Sequence, residues 1–239
     1  MCPVPPAATA RFSTLREGSL HAALKARYLD AGSVAEREVD GFVVDVVRPV
    51  GLVEVQTASV ASIRGKLERL VAAHPVLLVH PVAIERWLVR VGEGGELLGR
   101  RRSPKRGLPL DAFDELVSVA PLIGHPNLAV DLVLIREEEV RGPVPPGARY
   151  RYPRTWWRID RRLLEVIDTW RIASPSDLVR LLPAGLPDPF TSADIVAATR
   201  RQRRLAMRAV YTLEKAGAAR RVGRSGRHVA YRLGPDLPS

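Results

Sequence analysis

Cysteine is nearly absent from this chain: Cys2 is the sole one among 239 residues. That excludes an intrachain disulfide framework and any cysteine-based zinc site, and it fits a reducing, cytoplasmic compartment. Long apolar runs are missing too, and none approaches the ~20 residues of a membrane span. The start, Met1-Cys2-Pro3-Val4-Pro5-Pro6, has neither the basic segment nor the apolar core of a secretion signal. Lysine is scarce, supplying four of 37 basic residues, a bias that a GC-rich genome partly explains.

Acidic charge is scarce only in one part of the chain. Residues 1–140 carry 17 basic against 18 acidic side chains, whereas residues 141–239 carry 20 against 8. The whole excess behind the net charge of +11 therefore sits in the C-terminal two-fifths. Genome bias would not confine it there, so an anionic partner, most simply DNA, is expected for that part.

The pattern richest in chemistry lies earlier. Gly41-Phe42-Val43-Val44-Asp45-Val46-Val47 and Leu52-Val53-Glu54-Val55-Gln56-Thr57 are β-branched runs separated by Arg48-Pro49-Val50-Gly51. They read as a β-hairpin with a four-residue loop. Without a bulge, Val47 faces Leu52, Val46 faces Val53, and Asp45 faces Glu54. Two carboxylates opposed in an apolar hairpin repel, and a divalent cation relieves that repulsion. The alternative is an edge hairpin that turns both acids to solvent against arginines.

Around the hairpin, residues 1–12 read as a Pro/Ala tail. Thr14–Leu29 reads as a helix with Leu20, Leu24 and Tyr28 on its apolar stripe, Glu17 inside that stripe, and His21 and Lys25 on its flank. Ala58–Ala73 reads as a second helix with Ile63, Leu67, Leu70 and Val71 inward. Val76–Val82 has the unbroken apolar pattern of a strand buried on both faces. Arg86–Val91 alternates like a separate, peripheral strand. Arg100–Gly107 reads as a basic loop, Leu110–Val119 as a helix and Leu128–Ile135 as another strand. The Pro- and Gly-rich stretch from Arg141 is a linker.

Beyond it, helices are expected at Asp160–Ile172, Ser176–Leu182, from Thr191 or Ser192 to Ala198, and at Gln202–Lys215. Thr191-Ser192-Ala193-Asp194 resembles a capping box, and Gly217 supplies a stop. Short strands at Ala219–Val222 and His228–Leu233 flank the turn Gly223–Arg227. On the last helix Arg201, Arg204, Arg208, Tyr211 and Lys215 share one arc, opposite Leu205, Ala209 and Leu213. This layout resembles a winged helix-turn-helix, which implies a groove-reading helix and a wing carrying Arg221, Arg224 and Arg227 onto phosphates.

A helix with an inward Glu17, a hairpin with Asp45 and Glu54-Val55-Gln56, a helix and a buried strand together resemble the PD-(D/E)xK, or restriction endonuclease-like, nuclease superfamily. The resemblance covers roughly residues 13–135. It implies a mixed central sheet flanked by helices, with Asp45, Glu54 and the Val55 carbonyl binding Mg²⁺ (or Mn²⁺) and Glu17 completing the site. Gln56 stands where the family usually has a lysine; as a catalytic residue its amide would still position a water but could not supply positive charge. The missing cation would come from Lys66 or Arg64 on the following helix, or from Lys25. The expected organisation is a tail at 1–12, a nuclease-like α/β domain at 13–140, a linker at 141–155, and a mainly α winged-helix domain at 156–239. The expected function is Mg²⁺-dependent cleavage of DNA; the alternative is a DNA-binding regulator or adaptor that no longer cuts. Many members of the superfamily act as homodimers, though no interface is legible in this sequence.

Overall fold

The computed structural model describes residues 18–144 and 156–234. The expected tail at 1–12, Glu17 and most of the expected linker lie outside the described residues.

Helix α1 (Ser19–Arg27) leads into three antiparallel strands, β1 (Val34–Val39), β2 (Phe42–Arg48) and β3 (Gly51–Val55). A 3-10 turn at Val60–Ile63 feeds helix α2 (Arg64–Val71), which carries the chain to β4 (Val76–Val91), parallel to β3. Such a crossover is what a parallel pair requires. Strand β5 (Leu97–Arg102) folds back on β4. After a 3-10 turn at Pro109–Ala112 and the short helix α3 (Phe113–Leu116), β6 (Leu128–Pro143) runs parallel to β4, and β7 (Trp156–Ile172) returns antiparallel to β6. The seven strands form one mixed sheet in the order β1-β2-β3-β4-β6-β7, with β5 also on β4.

A second, small sheet follows. A 3-10 turn at Pro175–Leu181 precedes β8 (Phe190–Thr191), α4 (Ser192–Thr199), α5 (Arg203–Ala216), β9 (Ala219–Ser225) and β10 (His228–Leu233), with sheet order β8-β10-β9. The capping box is formed: Asp194 Oδ2 accepts the Thr191 N–H at 2.7 Å, and Thr191 Oγ1 accepts the Asp194 N–H at 3.3 Å. Gly217 ends α5 at φ +84°, where a side chain would be strained.

The large sheet is covered on both faces. On one, Leu20 and Leu24 of α1 pack on Val46, Val53, Val55, Val79, Val133 and Ile135. On the other, Leu67, Leu70, Phe113 and Leu116 pack on Val44, Leu52, Leu78 and Leu132, and the same core continues into Leu205, Ala209 and Leu213 of α5. The small sheet and its helices thus share a core with the large one.

Several elements differ from the sequence reading. Asp160–Ile172 is strand, not helix, and it belongs to the large sheet, so the expected linker does not separate the two sheets. The cause is in the register: β7 bulges against β6 at Ile159, Leu164 and Ile167. Each bulge adds one residue, so apolar residues fall at 159, 163, 164, 166, 167 and 170, a helix-like spacing. Val76–Val82 and Arg86–Val91 are one continuous strand, its outer half held by β5 and β6. The first residues of the expected basic loop are β5, because Arg102 and Arg106 neutralise the buried Glu85 and Arg100 pairs with Glu138. The start of the expected linker, Arg141–Pro143, ends β6. The expected helices at Leu110–Val119 and Ser176–Leu182 are reduced to 3-10 turns, with the four-residue α3 in the first. The hairpin loop is two residues, because Arg48 pairs with Gly51.

Phe113 has no exposed surface and sits where the two units meet. Phe113→Ala should cost about 3–5 kcal/mol, seen as a lower urea midpoint for a single transition of the whole chain.

Candidate functional site

Strands β2 and β3 pair as the hairpin pattern requires at Val46–Val53 and Val47–Leu52, but the ladder does not continue to Asp45–Glu54. On the other side of β2 the register passes from Ala35–Val46 to Arg37–Val44, skipping Glu36–Asp45, and Glu36 has φ +53°. Val44 packs into one core and Val46 into the other, so side-chain alternation breaks at Asp45. The expected unbroken opposition of two carboxylates is therefore corrected: β2 opens from β3 at this residue. The Asp45 carboxylate occupies the opening, and its Oδ2 accepts the Val55 N–H at 2.8 Å and lies 3.3 Å from His21 Nε2.

Glu54, almost fully buried, faces helix α2. Lys66 Nζ lies 2.5 Å from Glu54 Oε1 and donates to the Val43 carbonyl at 2.5 Å. Among the described residues Lys66 is the only side-chain partner of the buried Glu54 Oε1, a close ion pair whose alignment is poor. The electrostatics follow. Burial raises the Glu54 pKa, and Lys66 offsets this only in part, so the net shift is upward. Burial also opposes ionisation of Asp45, but hydrogen bonds from His21 and Val55, with the His21 and Lys66 charges, bring its pKa below the usual value.

The structure thus brings Asp45, Glu54, Lys66 and His21 together. It turns the Gln56 side chain aside, with Nε2 donating to Ser62 Oγ and Oε1 accepting the Ala58 N–H. Lys25 is engaged by Glu36 at 2.8 Å, Arg64 pairs with Glu68 on its own helix, and Glu17 lies outside the described residues. Lys66 was legible as a candidate cation; its contact with Glu54 depends on the crossover of α2.

His80 lies within the apolar run Val76–Val82. It is buried on β4, its Nδ1 donates to the Gln56 carbonyl at 2.7 Å, and burial depresses its pKa to about 4. Beside it opens a cleft of about 330 Å³, lined by Thr57, His80, Arg86, Lys105, Asp111, Arg158 and Arg161 among others.

The basic residues of the last helix and its flanks divide in two. Arg201 bonds Asp111 and the Arg106 carbonyl, and Arg208 bonds Asp114, so both face the large-sheet unit. Arg221 pairs with Glu214. Arg204, Tyr211 and Lys215 are exposed along α5 together with Arg203 and Met207, and Arg224 and Arg227 are exposed at the β9–β10 turn.

The family described as "Domain of unknown function (DUF8091)" matches residues 18–173. The chain belongs to this family. The DUF8091 segment ends between β7 and the small-sheet unit, so β7 is inside it and α4–β10 outside. An uncharacterized protein of Treponema pallidum (strain Nichols) is 33% identical over 186 residues, 77% of this chain and 73% of that protein. No solved structure matches. Among the described residues no group of three or more His, Cys, Asp or Glu is placed to hold a metal, and no helix is long and apolar enough to cross a membrane.

Between about pH 4 and 6.5 the unfolded chain protonates the histidine at position 80 and the folded chain does not. The stability tied to neutral His80 is therefore complete above 6.5 and lost as pH falls toward 4. The loss should be on the order of 3 kcal/mol. His80→Gln, which can still donate to the Gln56 carbonyl, should flatten that part of a stability–pH curve measured by urea denaturation.

Proposed function

We propose that this DUF8091 protein is a metal-dependent phosphodiesterase acting on DNA, with Asp45 and Glu54 at its centre. The observation that carries the reading is the opening of β2 from β3 at Asp45, with both carboxylates and Lys66 gathered there. The order α-β-β-β-α-β, with the first four strands adjacent in sequence order and the last pair parallel, supports the restriction endonuclease-like resemblance.

The donor set fits a hard divalent cation. Both protein contacts of Asp45 fall on Oδ2, leaving Oδ1 open among the described residues, whereas Glu54 Oε1 is held by Lys66 Nζ at 2.5 Å and would exchange that contact for the ion. Mg²⁺ (or Mn²⁺) takes one or two carboxylates and keeps waters and substrate phosphate for its remaining positions. Asp45, Glu54 and the Val55 carbonyl would hold it, with Glu17 as the further carboxylate the resemblance implies. Once bound, such an ion lowers the pKa of a coordinated water and offsets charge on the phosphate. The chain's own contributions are distinct. The Val55 N–H and His21 hold Asp45 ionised and oriented, and Lys66 supplies the positive charge that Gln56 lacks.

A second reading has an observation of its own. Lys66 already neutralises Glu54, and the Gln56 amide is spent on Ser62 and Ala58, which suits a DNA-binding regulator that does not cut. In either reading the small-sheet unit binds DNA. Its order of turn, strand, two helices and hairpin supports the winged-helix resemblance, with Arg204, Tyr211, Lys215, Arg224 and Arg227 exposed for the contact.

Plasmid, duplex and branched DNA incubated with Mg²⁺ or Mn²⁺ should be cleaved. Asp45→Ala and Glu54→Ala should abolish cleavage and the metal-binding heat in calorimetry. Lys66→Met should keep the metal heat and lose about 10²–10³ in rate. DNA binding with no cleavage of any substrate would leave the regulator reading. Separately, Arg204→Ala, Arg224→Ala and Arg227→Ala combined should weaken duplex binding and reduce the salt slope by about 0.9 per lost contact. Arg201→Ala and Arg208→Ala should instead lower the melting temperature, because their partners are Asp111 and Asp114.

A further inference from the structure

The cleft beside His80 is separate in its lining from the carboxylate pair, and its charges are unevenly matched. Every acid in it is engaged from outside the lining. Asp111 meets Arg201 at 2.9 Å, Asp114 meets Arg208 at 2.7 Å, and Glu115 accepts the Val60 N–H at 2.9 Å. Two of these partners come from α5 and the short segment before it, so the small-sheet unit cancels negative charge in a cleft of the large-sheet unit. Among the basic residues of the lining, Arg161 is fixed by the fully buried Glu137, and Arg86 by Glu137 and the buried Glu139. Lys105 and Arg158 are exposed and make no side-chain ion pair among the described residues. With Asp111 and Asp114 neutralised by arginine and only Glu115 keeping its charge, the two remaining cations Lys105 and Arg158 leave the cleft net positive, with flexible ligands to spare.

The walls are tied to one another by backbone contacts. Gly107 lies against β4 and donates to the Ile84 carbonyl at 3.0 Å; a Cβ there would come within 2.0 Å of the Ala83 carbonyl oxygen. Arg161 also donates to the Thr57 carbonyl at 2.7 Å, tying β7 to the segment that follows β3. His80 joins the cleft to the Gln56 carbonyl, two residues from Glu54. A volume of about 330 Å³ suits a small ligand or a single phosphate-bearing unit of a longer chain.

We propose that this cleft binds a phosphate group, carried by a polynucleotide strand or by a free nucleotide, with Lys105 and Arg158 closing on it and Arg86 and Arg161 as fixed positive charge. The polynucleotide source rests on the phosphodiesterase reading, for which the cleft would hold a second phosphate of the strand being cut; the free-nucleotide source does not.

The test is calorimetric titration of the full chain carrying Arg204→Ala, Arg224→Ala and Arg227→Ala, which removes the DNA contact proposed for the small-sheet unit, without divalent cation, with inorganic phosphate, adenosine 5′-monophosphate, and a short single-stranded oligonucleotide with or without a 5′-phosphate. At least one probe should bind. Lys105→Ala combined with Arg158→Ala should weaken it about tenfold or more, while Lys105→Arg with Arg158→Lys should stay within a few-fold of that parent chain. Matching circular dichroism and melting curves would show that the variants fold. The Lys105→Ala, Arg158→Ala loss is read without divalent cation and so does not depend on cleavage, which makes failure of the cutting reading and failure of the cleft distinguishable. Monophosphate binding as tight as the oligonucleotide's identifies a free nucleotide, and a requirement for the oligonucleotide identifies a strand. No binding by any probe, or full binding by the alanine double variant, overturns the proposal.

Discussion

A backbone N–H in the middle of a sheet normally finds a carbonyl on the next strand, but the Val55 N–H finds the Asp45 carboxylate. This exchange sets the local geometry. A side chain that takes a ladder position separates the strands it lies between, so β2 leaves β3 at Asp45. The opening admits His21 from α1 on one face of the sheet and Lys66 from α2 on the other. Both helices are fixed by ordinary apolar packing, Leu20 and Leu24 in one case and Leu67 and Leu70 in the other. The charged cluster therefore depends on a single rerouted hydrogen bond and on two cores that would form without it.

Arginine plays two roles that composition cannot separate. Glu85, Asp131, Glu137 and Glu139 are buried carboxylates, and each is paired with arginine: Glu85 with Arg102 and Arg106, Asp131 with Arg171, Glu137 with Arg86 and Arg161, Glu139 with Arg141. Breaking such a pair from one side leaves a charge uncompensated inside the protein, which is far costlier than losing a surface bridge. Much of the positive charge is thus consumed internally. From Ser174 onward twelve basic residues face five acidic ones, and there the exposed arginines of the β9–β10 turn have little to neutralise them.

What was legible in the sequence was local. The Val46–Val53 and Val47–Leu52 register, the inward Leu67, Leu70 and Val71, the Thr191–Asp194 cap and the Gly217 stop each depend on residues close in sequence. Strand β7 was illegible because its bulges disguise a period of two, and the full length of β4 because half of it is covered by partners far along the chain. The carboxylate pair was legible as residues and not as geometry, since no pattern of apolar residues announces the interruption at Asp45. The inward turn of Arg201 and Arg208 was missed for a related reason: helical spacing shows that two arginines share a side, but only the position of Asp111 and Asp114 decides what that side meets.

The three bulges of β7 also matter for how copies of this chain meet. A seventeen-residue strand at the rim of a sheet offers a template on which another chain can crystallise its own backbone, the first step toward insoluble fibres. Here the irregularities at Ile159, Leu164 and Ile167 cut that template into short pieces, the longest being the five residues Asp168–Ile172. A foreign strand could stay in step for one such piece and would then lose its partners. The disorder in the pattern that disguised this segment as a helix thus makes the rim a poor seed for aggregation.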